Sequence, residues 1–276
     1  MGSLAFCVDP EIPKNDGFHR HVQILSPAGT ILSAQPPFST QEATMDAAEM
    51  LYRALLRAAA GACPEMAAAG STLIQFSTYI GIDHRDGRKR LLSCANFNEC
   101  GGGGGSLGTD GNPCMMEMGV AGGMKFASAE MEEWLYPVGV EQCEIYEDSQ
   151  GAGHWRDAPG VITRVRGDES GGPIEIHTYS WGHNNLSHGT LGGRPGIGGT
   201  VFIRDPENPE TRTFYSGFGN FTLPPGWEYV VIASGGGYGD PLERGPDVAG
   251  ADVRDEIVSV ASAEEDYGVV VDSASG

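Results

Sequence analysis

The sequence predicts an α+β, β-rich fold: mixed or antiparallel sheets, or a sandwich, with a few helices at about 40–60 and 246–267. Three observations carry this. Among 276 residues, 42 glycines and 17 prolines call for many turns and strands rather than a helix bundle. From Val140 onward, short apolar runs recur between glycine- and proline-rich turns: Gln142–Tyr146, Val161–Arg166, Ile174–Tyr179, Thr200–Ile203, Arg212–Tyr215 and Tyr229–Ala233. That spacing is the mark of a sheet or sandwich. The clearest helical period follows Ser39-Thr-Gln-Glu42, which has capping-box spacing.

Taken in order, residues 1–17 form a polar entry arm. His21–Leu25 alternates like a strand, Ser26-Pro-Ala-Gly29 is a turn, and Thr30–Leu32 is expected to return as the hairpin's partner. Met45, Ala48, Leu51, Leu55 and Ala59 recur at helical spacing up to Gly61, and this stripe is expected to face the core. Leu73–Ile80 and Arg90–Phe97 read as strands joined through Asp86-Gly87. Cys100 and the glycines Gly101, Gly102, Gly103, Gly104 and Gly105 follow, a run expected to stay outside any core as a linker or a loop over a site. Glu130–Trp134 suits one acidic helical turn. Near the end, Tyr229–Ala233 reads as a buried strand leading into Gly235, Gly236, Gly237, Tyr238 and Asp240, a predicted tight turn. Asp247–Arg254 has helical character, and Tyr267–Val271 is expected as a closing short strand. By composition the chain divides into 1–115, ending in the glycine-rich loop, and 116–276, the β-rich segment, or it forms one continuous domain.

The formal charge of −20 repels phosphate backbones and anionic lipid, so nucleic acid and membranes are not expected partners. No apolar run is long enough to span a membrane and no secretory signal pattern is present. Six irregularly spaced cysteines predict reduced thiols in a cytoplasmic protein. Cys94, Cys100 and Cys114, with His84, either supply a zinc site or remain free thiols; they lack the Cys-x-x-Cys knuckle. His183 and His188, five apart in a polar loop, read as an outer-face loop rather than a metal pair. Glu117, among Met115, Met116 and Met118, is either an acid or base with a raised pKa or an edge residue facing water. The Gly235–Gly237 run lacks both the Gly-Lys-Ser/Thr and the Gly-x-Gly-x-x-Gly patterns of phosphate loops. No catalytic residue stands out.

Ser234-Gly-Gly-Gly-Tyr-Gly-Asp-Pro-Leu-Glu-Arg244, then Asp252-Val-Arg-Asp255 and Glu264-Glu-Asp-Tyr-Gly-Val-Val270, resembles the C-terminal signature of the hydantoinase B family. That family includes B-type oxoprolinase halves and subunits of acetone and acetophenone carboxylases. Asp148–Arg156 with Pro159-Gly-Val161, Trp134-Leu-Tyr-Pro137, and the glycine run with Asp110-Gly111 resemble further family segments in the same order, as do Ile12–Gly17 and Gln35-Pro-Pro37.

The resemblance implies a subunit of a multi-subunit ATP-dependent carboxylase or cyclic-amide hydrolase. In such complexes phosphorylation of a carbonyl or amide oxygen turns it into a leaving group. The resemblance covers the C-terminal half of a family member, without the half carrying the histidine- and aspartate-rich metal motifs. Asn112–Met118 also replaces the family's Thr-His-Met-Thr-Asn-type stretch. It follows that ATP and a divalent metal are expected on hydantoinase-A-like and hydantoinase-B-like partner subunits, with no cofactor on this chain. Gly101–Gly103, Glu117, Gly235–Gly237, Tyr238 and Asp240 are the candidate substrate or subunit-junction residues. The alternative is an assembly module that touches no substrate.

Overall fold

The computed structural model describes residues 11–13, 15–21, 23–40, 46–73, 75–85, 90–96, 101–115, 127–215 and 217–272. The helices are α1 (Asp16–His19), α2 (Asp46–Ala62), α3 (Ala129–Leu135), α4 (Pro246–Arg254) and α5 (Val260–Tyr267). The strands are β1 (Gln75–Asp83), β2 (Arg90–Asn96), β3 (Gly101–Gly102), β4 (Pro113–Met115), β5 (Val138–Ile145), β6 (Val161–Gly167), β7 (Ile174–Ser180), β8 (Thr200–Asp205), β9 (Asn208–Tyr215), β10 (Gly217–Leu223) and β11 (Glu228–Ala233).

They form a four-stranded sheet, β10-β7-β1-β2, a five-stranded sheet, β5-β6-β11-β8-β9, and the small pair β3-β4. Every pairing between these strands is antiparallel. The predicted α+β, β-rich architecture is therefore present. β1, from residues 1–115, pairs with β7, from 116–276, so the two segments share a sheet.

Period-two burial in β6 and β7 turns alternate side chains inward. Tyr79, Ile174, Ile176 and Leu223 from one sheet meet Val165, Val201, Tyr229 and Val231 from the other. The rings of Tyr79 and Tyr229 cross edge to face at 6.1 Å, a favoured aromatic geometry. The Tyr229 hydroxyl is shared with Ser77 and Thr178, which satisfies a polar atom inside an apolar layer. A second cluster seats α4 and α5 through Ala249, Ile257, Val258, Ala263 and Tyr267.

Four local expectations change. The N-terminal hairpin does not form. Gly29 adopts φ +77 and its N–H bonds Ser33 O at 3.0 Å, winding Ile31–Ser33 into a 3-10 helix. Ile24, Leu25, Ile31 and Leu32 remain exposed, and a lone hairpin with no covered face is marginal. The closing strand at 267–271 is likewise absent: Gly268 caps α5 in the left-handed region, and Val269 and Val271 pack against the second cluster without a sheet partner.

The third change concerns α2. Its expected core stripe faces outward, with Ala48 exposed, Leu51 42% exposed and Leu55 half-buried; Met45 and the side chain of Ala59 lie outside the described residues. The buried face is Glu49, Arg53 and Leu56. Fourth, β10 joins the sheet beside β7 although Gly217 and Gly219 weaken its strand pattern.

Candidate functional site

The centre of the polar architecture is the segment that follows β11. Ser234–Gly239 passes between four loops and hydrogen-bonds each of them. Gly236 N donates to Gly70 O at 2.8 Å and Gly236 O accepts from Gly105 N at 3.1 Å. Gly237 N donates to Arg194 O at 2.9 Å, and Gly196 N donates to Gly235 O at 2.8 Å. Tyr238 exchanges two backbone bonds with Trp155, at 2.8 and 3.0 Å.

The predicted tight turn is thus a bridged thread over Gly235–Gly237, where glycine serves close approach, and only Gly239 at its end takes a left-handed angle, φ +74. A Cβ on Gly236 would lie 2.2 Å from His188 O, well inside contact distance. The same correction applies to the first glycine run. Gly101, Gly102 and Gly105 are buried, and a Cβ on Gly102 would lie 2.1 Å from that of Ala158. A run without side chains packs here because neighbouring backbones fill the space that side chains would take.

Those contacts decide what the glycines can bind. The N–H groups of Gly103 and Gly105 bond Asn112 O and Gly236 O. Those of Gly236 and Gly237 bond carbonyls of Gly70 and Arg194, and that of Gly235 bonds the Asp157 carboxyl. A phosphate cradle needs free N–H groups converging on one point, so these residues do not fit a nucleotide phosphate.

Beside this mesh lies a chain of alternating charges. Arg244, 3% exposed, holds Asp110 with Nη1 and Nη2, both at 2.9 Å. Its Nε and Nη2 hold Asp252 Oδ2 at 3.0 and 2.7 Å. The other Asp252 oxygen accepts from Arg156 Nε at 2.9 Å, and Arg156 N closes the circuit on Asp110 Oδ1 at 2.9 Å. Forked guanidinium–carboxylate pairs of this kind are strong and directional. Both carboxylates are engaged by arginines, so they do not fit a divalent cation. The Tyr267 ring lies 6.0 Å from the Arg244 guanidinium; burial pushes its phenol up.

Asp157, fully buried, adjoins the mesh. Burial raises its carboxyl well above the usual range, against the opposing pull of the Gly235 N–H and the Arg156 charge. The folded pKa exceeds the unfolded one, so the group's contribution to stability is present below the ordinary carboxylate pKa. It is lost as pH rises through the folded value. D157N keeps an oxygen for Gly235 N–H and removes the ionisation. Urea unfolding should find D157N more stable than the wild type at pH 8, with the difference shrinking as the medium is acidified. Each unit of pKa elevation is worth about 1.4 kcal/mol. A less stable D157N at pH 8 would contradict this account of the carboxyl.

The remaining expected site residues are distributed as follows. Gly103 and Gly104 line a cavity of about 180 Å³ together with Tyr52, Leu56, Ser71 and Asn112. Gly101 packs against Thr72. Tyr238 is buried and donates its hydroxyl to Pro64 O at 2.8 Å. Asp240 caps the 3-10 helix Pro241–Glu243 through Leu242 N at 3.0 Å. Both therefore have structural partners. Cys94 lies on β2 and Cys114 on β4, with side chains outside the described residues; Cys100 and Glu117 lie wholly outside them. His183 is exposed as expected, but His188 is partly buried and its carbonyl binds Gly70 N at 2.8 Å.

Composition and spacing missed the Arg244–Asp110–Asp252–Arg156 circuit, although Asp110, Arg156 and Arg244 stand in or beside the glycine-rich segments and Asp252 lies in α4. The legible signal was unlike charges placed where the backbone had no side chains to cover them. Arg53 and Glu49 were missed because their helix was judged by its apolar stripe.

A sandwich with a glycine-threaded end and a buried charge circuit defines a packed β-rich body. The hydantoinase B/oxoprolinase family model matches residues 1–241, and the chain belongs to that family. It is 28% identical over 279 residues to the beta chain of the caprolactamase of Pseudomonas jessenii, covering 99% of this chain and 47% of the relative. The crystal structure of the ATP-dependent caprolactamase from that organism superposes with a TM-score of 0.79 at 23% identity, covering 99% of this chain and 48% of that one.

A Pseudomonas sp. (strain NS671) protein whose name proposes the B-type part of a D-/L-hydantoinase is 26% identical, covering 94% of this chain and 42% of the relative. The structure of an acetone carboxylase matches 80% of this chain and 33% of its own, with a TM-score of 0.62 and 20% identity. The chain spans about half the length of the curated relatives it matches. Among the described residues no helix is long and apolar enough to cross a membrane.

Proposed function

We propose that the chain is a B-type part of a multi-subunit, ATP-dependent enzyme that opens a cyclic amide, and that it works only when docked to its partners. One observation carries the docking: α2 turns Glu49 and Arg53 inward and Leu51 outward. A helix that buries charge and leaves part of its apolar stripe, Ala48 and Leu51, exposed has a second surface to satisfy. Ile24, Leu25, Ile31, Leu32 and Phe38 on the preceding arm are further exposed apolar side chains. The names of the curated relatives, which refer to a caprolactamase and a hydantoinase, support the cyclic-amide class.

The cavity beside Gly103 and Gly104 suits the substrate side of the junction. It combines apolar Leu56 with Ser71, Thr109 and Asn112, the apolar and hydrogen-bonding complement of a lactam. ATP and a divalent metal belong, in this reading, to hydantoinase-A-like and hydantoinase-B-like partner subunits, and no step involving them is assigned to this chain's residues. Free thiols at Cys63 and Cys143 suit a reducing, cytoplasmic setting.

Leu51→Asp and Ile31→Asp test the docking surface. Each should leave the isolated chain's unfolding midpoint nearly unchanged, since exposed positions cost little, and weaken association with purified partner subunits at least about tenfold, about 1.4 kcal/mol. Equal affinity for wild type and both variants, measured by interferometry, would remove this surface from the interface.

A further inference from the structure

The inner face of α2 carries groups that the docking proposal leaves without a task. Arg53 is only 6% exposed. Its Nη2 donates to Leu186 O at 3.2 Å, while Nε and Nη1 have no partner among the described residues. His188 approaches across Gly70, where a Cβ would lie 2.9 Å from His188 Nδ1 and 3.1 Å from Arg53 Nη2. His188 Nε2 is buried and also lacks a partner among the described residues. Glu49 Oε1 accepts from Ser71 Oγ at 3.2 Å, and Ser71, Tyr52 and Leu56 line the neighbouring cavity.

A buried guanidinium with unfilled donors is costly unless an acceptor completes it. An oxyanion supplies both charge and lone pairs to such a cation. Arg57 adds a second positive charge nearby, and Glu49 a negative one. Burial, then the two arginines, lower the His188 imidazole to about 4. It is therefore neutral near pH 7 and can donate one N–H without adding charge. We propose that Arg53 and His188 form a binding site for a small oxyanion, a carboxylate or a phosphate, beneath α2. The site stands independently of the cyclic-amide reading.

Thermal unfolding of the full chain in rising acetate, and separately in rising phosphate, tests it with ionic strength held constant by chloride. A ligand that binds only the folded state raises the midpoint saturably. The expected result is a saturable rise with at least one anion, weakened at least about tenfold in R53M and H188A, equivalent to about 1.4 kcal/mol. The rise should be retained in R212Q on the distant β9. Response to acetate alone assigns a carboxylate, and response to phosphate alone assigns a phosphoryl group. No saturable rise in the wild type with either anion, or an equal rise in R53M, would overturn the site. The wild-type titration decides even where a variant folds poorly.

Discussion

Arg244→Met is expected to cost the chain about 3 kcal/mol, the lower end of the penalty for breaking a buried ion pair, because Asp252 keeps Arg156 and Asp110 is partly exposed. The guanidinium is the only group that touches both Asp110 and Asp252 through forked contacts in the described circuit. Methionine fills much of the volume but returns no N–H. Asp252 keeps Arg156 on Oδ1, while Asp110 keeps the Arg156 backbone N–H and loses both guanidinium contacts. Native stabilities run to about 5–15 kcal/mol, so a large share would go. The double variant R244M/D110N should be less damaged than R244M, because the stranded charge is removed with its partner. Urea unfolding of the two variants checks this; R244M within about 1 kcal/mol of wild type would show that the circuit is not what holds the loops to α4.

Gly236→Ala has the second large effect, about 3 kcal/mol or more, at the upper end of overpacking costs. The methyl would sit 2.2 Å from His188 O and 2.7 Å from its carbonyl carbon. Both are backbone atoms, so no rotamer change relieves the clash. Moving the thread stretches the bonds to Gly70 and Gly105. Gly61→Ala is the matched control. It lies in α2 with nothing within 4 Å of the added Cβ, and alanine there should gain up to about 1 kcal/mol from helix propensity. Opposite shifts in the two unfolding midpoints are the expected result. A Gly236→Ala chain as stable as Gly61→Ala would refute the threaded packing.

Much of the sandwich was legible because its strands are short, apolar and separated by turn residues. β6, β7, β8 and β11 fall where their runs lie: β6 and β7 bury alternate side chains and leave a period-two record, while β11, buried along its whole length, and the middle of β8 read as continuous apolar runs. The glycine runs misled because glycine records only permission. Its sequence signal is the same for a mobile loop and for backbones pressed together, and the neighbours that decide between them are distant in the chain. Gly236 meets Gly70, Gly105 and His188, none within thirty positions. α2 misled for another reason: periodicity finds an apolar face but does not say which surface covers it. The arm at 21–32 shows the limit of local turn chemistry, since Gly29 turned the chain as expected while nothing held a returning strand. The family signature placed Arg156, Asp252 and Arg244 in conspicuous segments, but their mutual pairing emerges only once α4 brings Asp252 to Arg244 and Arg156.

The measurement that bears most directly on the proposed role is a subunit-omission assay. Purified partner subunits would be supplied with ATP and a cyclic amide, hydantoin or caprolactam, with and without this chain, and ring opening followed by product analysis. The account predicts ATP-dependent hydrolysis only when the chain is present, loss of that activity with Leu51→Asp, and no turnover by the chain alone. Full activity without the chain would contradict a share in catalysis and leave an assembly role. Turnover by the isolated chain would contradict its dependence on partners.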